Sequence, residues 1–235
     1  MRDGKDKNFK DLNELALALR VHPSLNSLAE YCQQRERGQR QQAFAALRQF
    51  LQEAACLPAA DARSACLTIL NLHNHAPDVH LLISHPLRTQ FLIPTLEAWV
   101  RDEPLAPIPL RELGLLTRNP ALVQRALSLA PGDIAARRFL IGVRLTYVDY
   151  ATHHLAESIL LHDLATTRAA LTEARDLMHA AHDPAPFQDL LQEVLHYEQL
   201  LADWATYLET RAGTFPEWCQ KHNRPYRWPA TYYFH

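Results

Sequence analysis

"PAPFQDLLQEVLHYEQLLADWATYL", Pro184 to Leu208, decides the fold class. Its apolar residues Leu190, Leu191, Val194, Leu195, Tyr197, Leu201, Trp204 and Leu208 recur at helical intervals, not with the alternation of a strand. Pro184 and Pro186 mark the start, where a missing N–H costs least. Moving N-terminally, Asp163 caps the preceding helix, which ends near Asp183. Gly132–Asp133 opens a long helix predicted to run through about Ile159, and Asn119–Pro120 opens a shorter one that ends before Pro131. Moving C-terminally, "TFPE" (Thr214 to Glu217) has capping-box spacing. Beyond it lies the aromatic tail "RPYRWPATYYFH" (Arg224 to His235), whose Pro225 and Pro229 predict an extended course.

The N-terminal half repeats the pattern. Asn8 caps a helix with Leu12, Leu15, Ala16 and Leu19 on one face. Pro23 and Ser24 start the next, with Leu25, Leu28, Ala29 and Cys32 inward, and Gly38 ends it. A longer helix carries Phe44, Leu47, Phe50, Leu51 and Ala54. Another runs from about Ala60 to about His73, with Ala62, Cys66, Ile69 and Leu70. Ser84 before Pro86 reads as an N-cap, and that helix continues through Phe91, Leu92, Leu96 and Trp99 with a kink at Pro94. Only 6 glycines occur in 235 residues, and good helix formers dominate. The fold class is therefore all-α, arranged as an irregular antiparallel helical bundle. Residues 1–101 form an N-terminal helical region, 102–114 a connection with Pro104, Pro107 and Pro109, and 115–235 a long-helix region with the tail. The whole is expected to pack as one continuous unit.

A chain of 235 residues with 48% hydrophobic and 21% charged residues is globular in composition. The net charge of -2 argues against a nucleic-acid partner, and the locally basic "QQRERGQRQQ" (Gln33 to Gln42) reads as a solvated helix end. Cys32, Cys56, Cys66 and Cys219 include no Cys-x-x-Cys pair, so reduced thiols are expected. The first residues have no apolar signal core, and no apolar run is long enough to span a membrane. A cytoplasmic protein is expected.

"ALSLAPGDIAARRFL" (Ala126 to Leu140) resembles the junction between two tetratricopeptide repeats, with Ala126 and Pro131 at the matching spacing. One repeat-length away, Leu160 and Ala165 replace them, so the resemblance covers one junction. It implies tetratricopeptide-like helical hairpins and a protein-binding surface, and no chemistry.

Histidines supply the competing reading. "NLHNHAPDVHLLISHP" (Asn71 to Pro86) holds His73, His75, His80 and His85, without the spacing of a zinc site. In the long helix, Asp149, His153 and Glu157 stand four residues apart on one face, with His154 on the neighbouring stripe. Glu173, Asp176 and His179 lie on the next helix, and Glu193 and His196 form a Glu-x-x-His on the last. Carboxylate-bridged di-metal bundles use two such motifs, so the likeness is partial. The His162–Asp163 and His182–Asp183 dipeptides resemble those of HD-type phosphohydrolases, yet both fall where helix caps are expected.

The leading expectation is a protein-binding module without a cofactor, an accessory or toxin-neutralising immunity-type protein whose partner is another protein. Tyr226, Trp228, Tyr232, Tyr233 and Phe234 either bind that partner or fold back between the long C-terminal helices. The alternative is a metal-dependent helical hydrolase or oxidoreductase in which Asp149, His153, His154, Glu157, Glu193 and His196 gather a divalent metal or do acid/base chemistry.

Overall fold

The computed structural model describes residues 12–75 and 82–228; the expected cap Asn8, His80, and Tyr232, Tyr233 and Phe234 of the tail lie outside them. Among the described residues no strand occurs, as the helical periodicity requires. None of their helices is long and apolar enough to cross a membrane. The chain divides into two compact units, Met1–Leu122 and Val123–His235.

Unit 1 begins with α1 over 12–19. A 3-10 turn at Pro23–Leu25 leads into α2 (Asn26–Glu36), and Gly38, at φ 73°, turns the chain into α3 (Arg40–Ala54). A positive φ is cheap only for a residue without Cβ. The two helices form an antiparallel pair, with Ser27 near the start of α2 donating to Glu53 near the end of α3 at 2.7 Å. α4 (Ala59–His75) packs on α6 (Ile93–Asp102). Arg63 lies 5.3 Å from the Trp99 ring and binds both Asp102 and Glu103. The core centres on Tyr31, Phe50 and Phe91, with the last two rings edge-on at 5.2 Å.

Pro94 takes a different form from a simple kink. α5 (His85–Leu87) widens to a π turn over Arg88–Leu92 before α6 resumes. The Ile93 N–H reaches Arg88 O, five residues back. The wider turn accommodates a residue that has no N–H and whose ring crowds the carbonyl four residues before it. Ser84 occupies the N-cap of α5 in extended backbone, but its hydroxyl does not cap.

The expected connection at 102–114 is instead mostly helix. α7 spans Pro107–Thr117 and packs on α6, with Pro109, Leu110 and Leu113 buried. Its prolines occupy the first turn, where the N–H groups have no intrahelical acceptor. The division between units falls further on, inside α8 (Pro120–Leu129), rather than at the prolines.

Unit 2 is built on α9 (Ile134–Thr152), α10 (Leu164–His179) and α11 (Gln188–Thr210). Arg137 near the start of α9 donates to Leu177 O near the end of α10, and Arg138 pairs with Asp189 at the start of α11. The helices therefore run up, down and up. The predicted caps are in place: the Asp133 carboxylate accepts from Ala136 N–H at 2.9 Å and Asp163 from Thr166 N–H at 2.8 Å. α12 (Phe215–Lys221) starts with the Thr214/Glu217 capping box. Phe215 is fully buried, its ring 5.0 Å from Trp204 and 5.4 Å from Tyr207. Leu195, expected inside, is 43% exposed.

Arg137 is a buried charge that periodicity does not reveal. It is 4% exposed, and its guanidinium donates to Leu177 O and Pro131 O, both at 2.6 Å. The cation thus sits where the carbonyls ending α10 lack helical donors. Arg137→Met should lower the stability of unit 2 by about 2–4 kcal/mol, because both carbonyls lose a charged donor inside the protein. Urea unfolding followed by circular dichroism checks this.

Candidate functional site

The long helix carrying the predicted Asp149–His153–Glu157 face stops at Thr152, so those three residues do not share a helix face. The Thr152 hydroxyl donates back to Val148 O and Asp149 O. His153 is the C-cap, and a 3-10 turn at Leu155–Glu157 buries Leu155 completely. Ser158 then adopts left-handed backbone at φ 62°, and its hydroxyl accepts from Phe215 N–H at 2.7 Å. The chain turns here because a buried leucine and a bond to α12 together outweigh continuing the helix.

The turn creates a compact surface of rings and aliphatic side chains. Leu161 N–H bonds Ala151 O at 2.9 Å, which folds the loop back along the last turn of α9. His162 stacks on Tyr147 with ring centroids 4.7 Å apart and lies 5.6 Å from Tyr150. Tyr150 is 59% exposed, Ile159 50% and Leu161 37%. His153 and His154 meet edge-on at 5.2 Å, and His154 Nδ1 lies 2.7 Å from the Glu157 carboxylate. Periodicity alone did not mark Tyr147, Tyr150, Ile159 or Leu161 as site residues.

The six candidate ligands engage in separate contacts rather than one shared cluster. His153, His154 and Glu157 stay at the end of α9. Asp149 accepts a hydrogen bond from Tyr197 of α11 at 2.8 Å, with Glu193 close enough to act on the same phenol. His196 faces the ring of Tyr226, 5.9 Å away. Among the described residues no group of three or more His, Cys, Asp or Glu side chains is placed to hold a metal ion. The di-metal arrangement is thus not assembled by these residues. Both aspartates of the His-Asp dipeptides are occupied as helix-start acceptors, Asp163 for Thr166 N–H and Asp183 for Ala185 N–H. His73 and His75 occupy the last turn of α4, and His85 opens α5.

The described part of the tail is folded onto unit 2 and does not project as a set of anchors. Tyr226 donates to Asp203, while Trp228 lies 5.6 Å from Phe215 and 5.8 Å from Tyr226. Asp203, on the inward side of α11, is 3% exposed. Its carboxylate also accepts from Gln199 Nε2 and forms an ion pair with Arg224 Nε, each at 3.1 Å. A buried carboxylate demands this many partners. Sequence reading missed Asp203 because its partners Arg224 and Tyr226 belong to another segment.

The four cysteines are free thiols, as expected, with Cys56 alone exposed. Burial pushes the Cys32 and Cys66 thiols up to about 12 and the Cys219 thiol up to about 11. These three are poor nucleophiles at neutral pH. No family model, curated protein or solved structure matches the chain, so the site is interpreted from its own geometry.

Tyr197 and Tyr226 are both held protonated beyond the ordinary phenol value of 10.0, first by burial and then by donating to Asp149 and Asp203. Above that value the unfolded chain releases these protons before the fold does. Stability present below about pH 10 should therefore fall as pH rises toward the raised folded values, by up to about 1.4 kcal/mol per pH unit for each tyrosine. In urea unfolding between pH 8 and pH 11, Tyr226→Phe should start less stable and decline less steeply than the parent, since one phenol is gone.

Proposed function

We propose that this chain is a cytoplasmic helical module that binds another protein without a cofactor, through the surface at the end of α9. The observation that carries the reading is the exposed set Tyr150, Ile159 and Leu161, with His162 beside Tyr150. Rings and aliphatic side chains grouped on a rigid turn suit a protein interface, where buried aromatic anchors dominate the energetics. Nearby, His154 meets both the Glu157 carboxylate and the His153 ring, which suits recognition better than metal chemistry. The likeness of the α8–α9 junction to a tetratricopeptide junction favours the same class. An accessory or toxin-neutralising protein is the form of this function that a compact, mildly acidic chain suits, and a nucleic-acid partner is disfavoured by the net charge of -2.

The test uses the whole protein as bait in extract from its native cells, beside a Tyr150→Ser/Leu161→Ser double variant. Both side chains are exposed, so the variant should unfold at nearly the parent temperature. Quantitative mass spectrometry should show a protein enriched by the parent and depleted by about 10-fold or more with the variant, the effect of removing interface anchors. Equal recovery by both baits excludes this surface.

A further inference from the structure

Unit 1 carries a feature that the surface on α9 does not explain. Arg35 and Arg40 lie on either side of the α2–α3 turn, and their guanidinium carbons are 5.8 Å and 5.9 Å from the centroid of the Phe44 ring. Arg37 belongs to the same turn, and Arg48 follows Phe44 by one turn of α3. Arg20, Arg63, Arg138, Arg144, Arg175 and Arg224 all pair with carboxylates. Among the described residues no carboxylate lies within ion-pair distance of Arg35, Arg37, Arg40 or Arg48. The nearby acids on α2 and α3 are engaged elsewhere: Glu30 with Arg20 and Gln34, and Glu53 with Ser27 and Gln49. Glu36 is the remaining acid beside the turn and neutralises only part of the positive charge.

The strip continues into apolar ground. Arg40, Phe44, Arg48, Leu51 and Ala55 are spaced three or four residues apart, so they follow one another along one side of α3. Leu51 and Ala55 line a cleft of about 270 Å³ whose other walls include Ala62, Phe91 and Ala98. At its far end Arg63 is already neutralised by Asp102 and Glu103. Over about 16 Å of helix the surface passes from cationic and aromatic to apolar.

We propose that this strip docks an acidic, amphipathic segment of a partner protein. Carboxylates of that segment meet Arg35, Arg40 and Arg48 around Phe44, and an apolar side chain farther along enters the alanine-lined cleft. Charge complementarity selects the acidic end, since these arginines have no carboxylate partner among the described residues. The cleft favours a peptide over a nucleic acid, because a phosphodiester chain has no aliphatic group to fill it and requires positive charge along its whole track. This inference rests on unit 1 alone. Variants at Tyr150 and Leu161 leave it untouched, so it and the reading above fail separately.

The probe is a fluorescein-labelled synthetic helix of about 16 residues, with glutamates on one face of its first turns and leucine and phenylalanine on the same face of its last. Its anisotropy is followed against the full-length protein. Saturable binding that weakens with added salt is expected. Arg40→Glu/Arg48→Glu should weaken binding by about 10-fold or more and flatten the salt dependence. Ala55→Trp, at an exposed rim position that tolerates a larger side chain, should block the cleft and weaken binding while preserving the salt dependence. Melting curves confirm that both variants fold, and Ala98→Trp repeats the cleft test from the opposite wall. Absence of saturable binding to the parent overturns the proposal. So does undiminished binding by the charge-reversed protein, by both cleft variants, or of a scrambled peptide of the same composition. Equal affinity for a single-stranded DNA oligonucleotide of the same net charge overturns it in favour of a general polyanion surface.

Discussion

The organisation of unit 2 depends on the hydrogen-bond demand of one carboxylate. Asp203 is 3% exposed on α11, and an ionised group removed from water must regain its hydrogen bonds from the protein. Gln199, one turn before it on the same helix, supplies one donor. Tyr226 supplies another and Arg224 a paired positive charge, and both lie past α12. Meeting this demand returns the chain over Phe215 and places Trp228 against it. The docking of α12 sets Ser158, and through it the place where α9 stops.

The residues that define helices were legible because the information is local. The aspartate caps at 133 and 163 and the Thr214/Glu217 box each bond a backbone group three residues away. Apolar spacing likewise identified Leu28, Leu47, Ile69, Val194 and Trp204 as buried. The end of α9 was not legible. Apolar and good helix-forming residues continue past Thr152, while the bond that fixes the turn joins Ser158 to Phe215, 57 positions away. The prolines at 107 and 109 misled for a related reason: the same residues suit a connection and a helix's first turn, and only packing against α6 selects between them.

The candidate site was legible in part. Sequence spacing drew attention to the end of α9, and the structure does place His153, His154 and Glu157 there together. It does not gather them with Glu193 and His196 into a metal-holding group among the described residues. What fills the place of a ligand cluster is a set of pairwise associations: imidazole with carboxylate, phenol with carboxylate, and ring on ring. Such pairs fix side-chain positions through short, directional bonds, and the neighbouring Tyr150 and Leu161 are presented to solvent.

The clasp on Asp203 also imposes an order on biosynthesis. A ribosome makes the chain from its N-terminus, so α9, α10 and all of α11 exist before Arg224 and Tyr226 are polymerised. In that interval the carboxylate has Gln199 and water as partners, and α11 cannot settle fully against its neighbours without stranding a charge. Domains fold largely as they emerge. The second unit is therefore completed only when the residues past α12 have been made. A premature stop between Asp203 and Arg224 would leave it permanently incomplete.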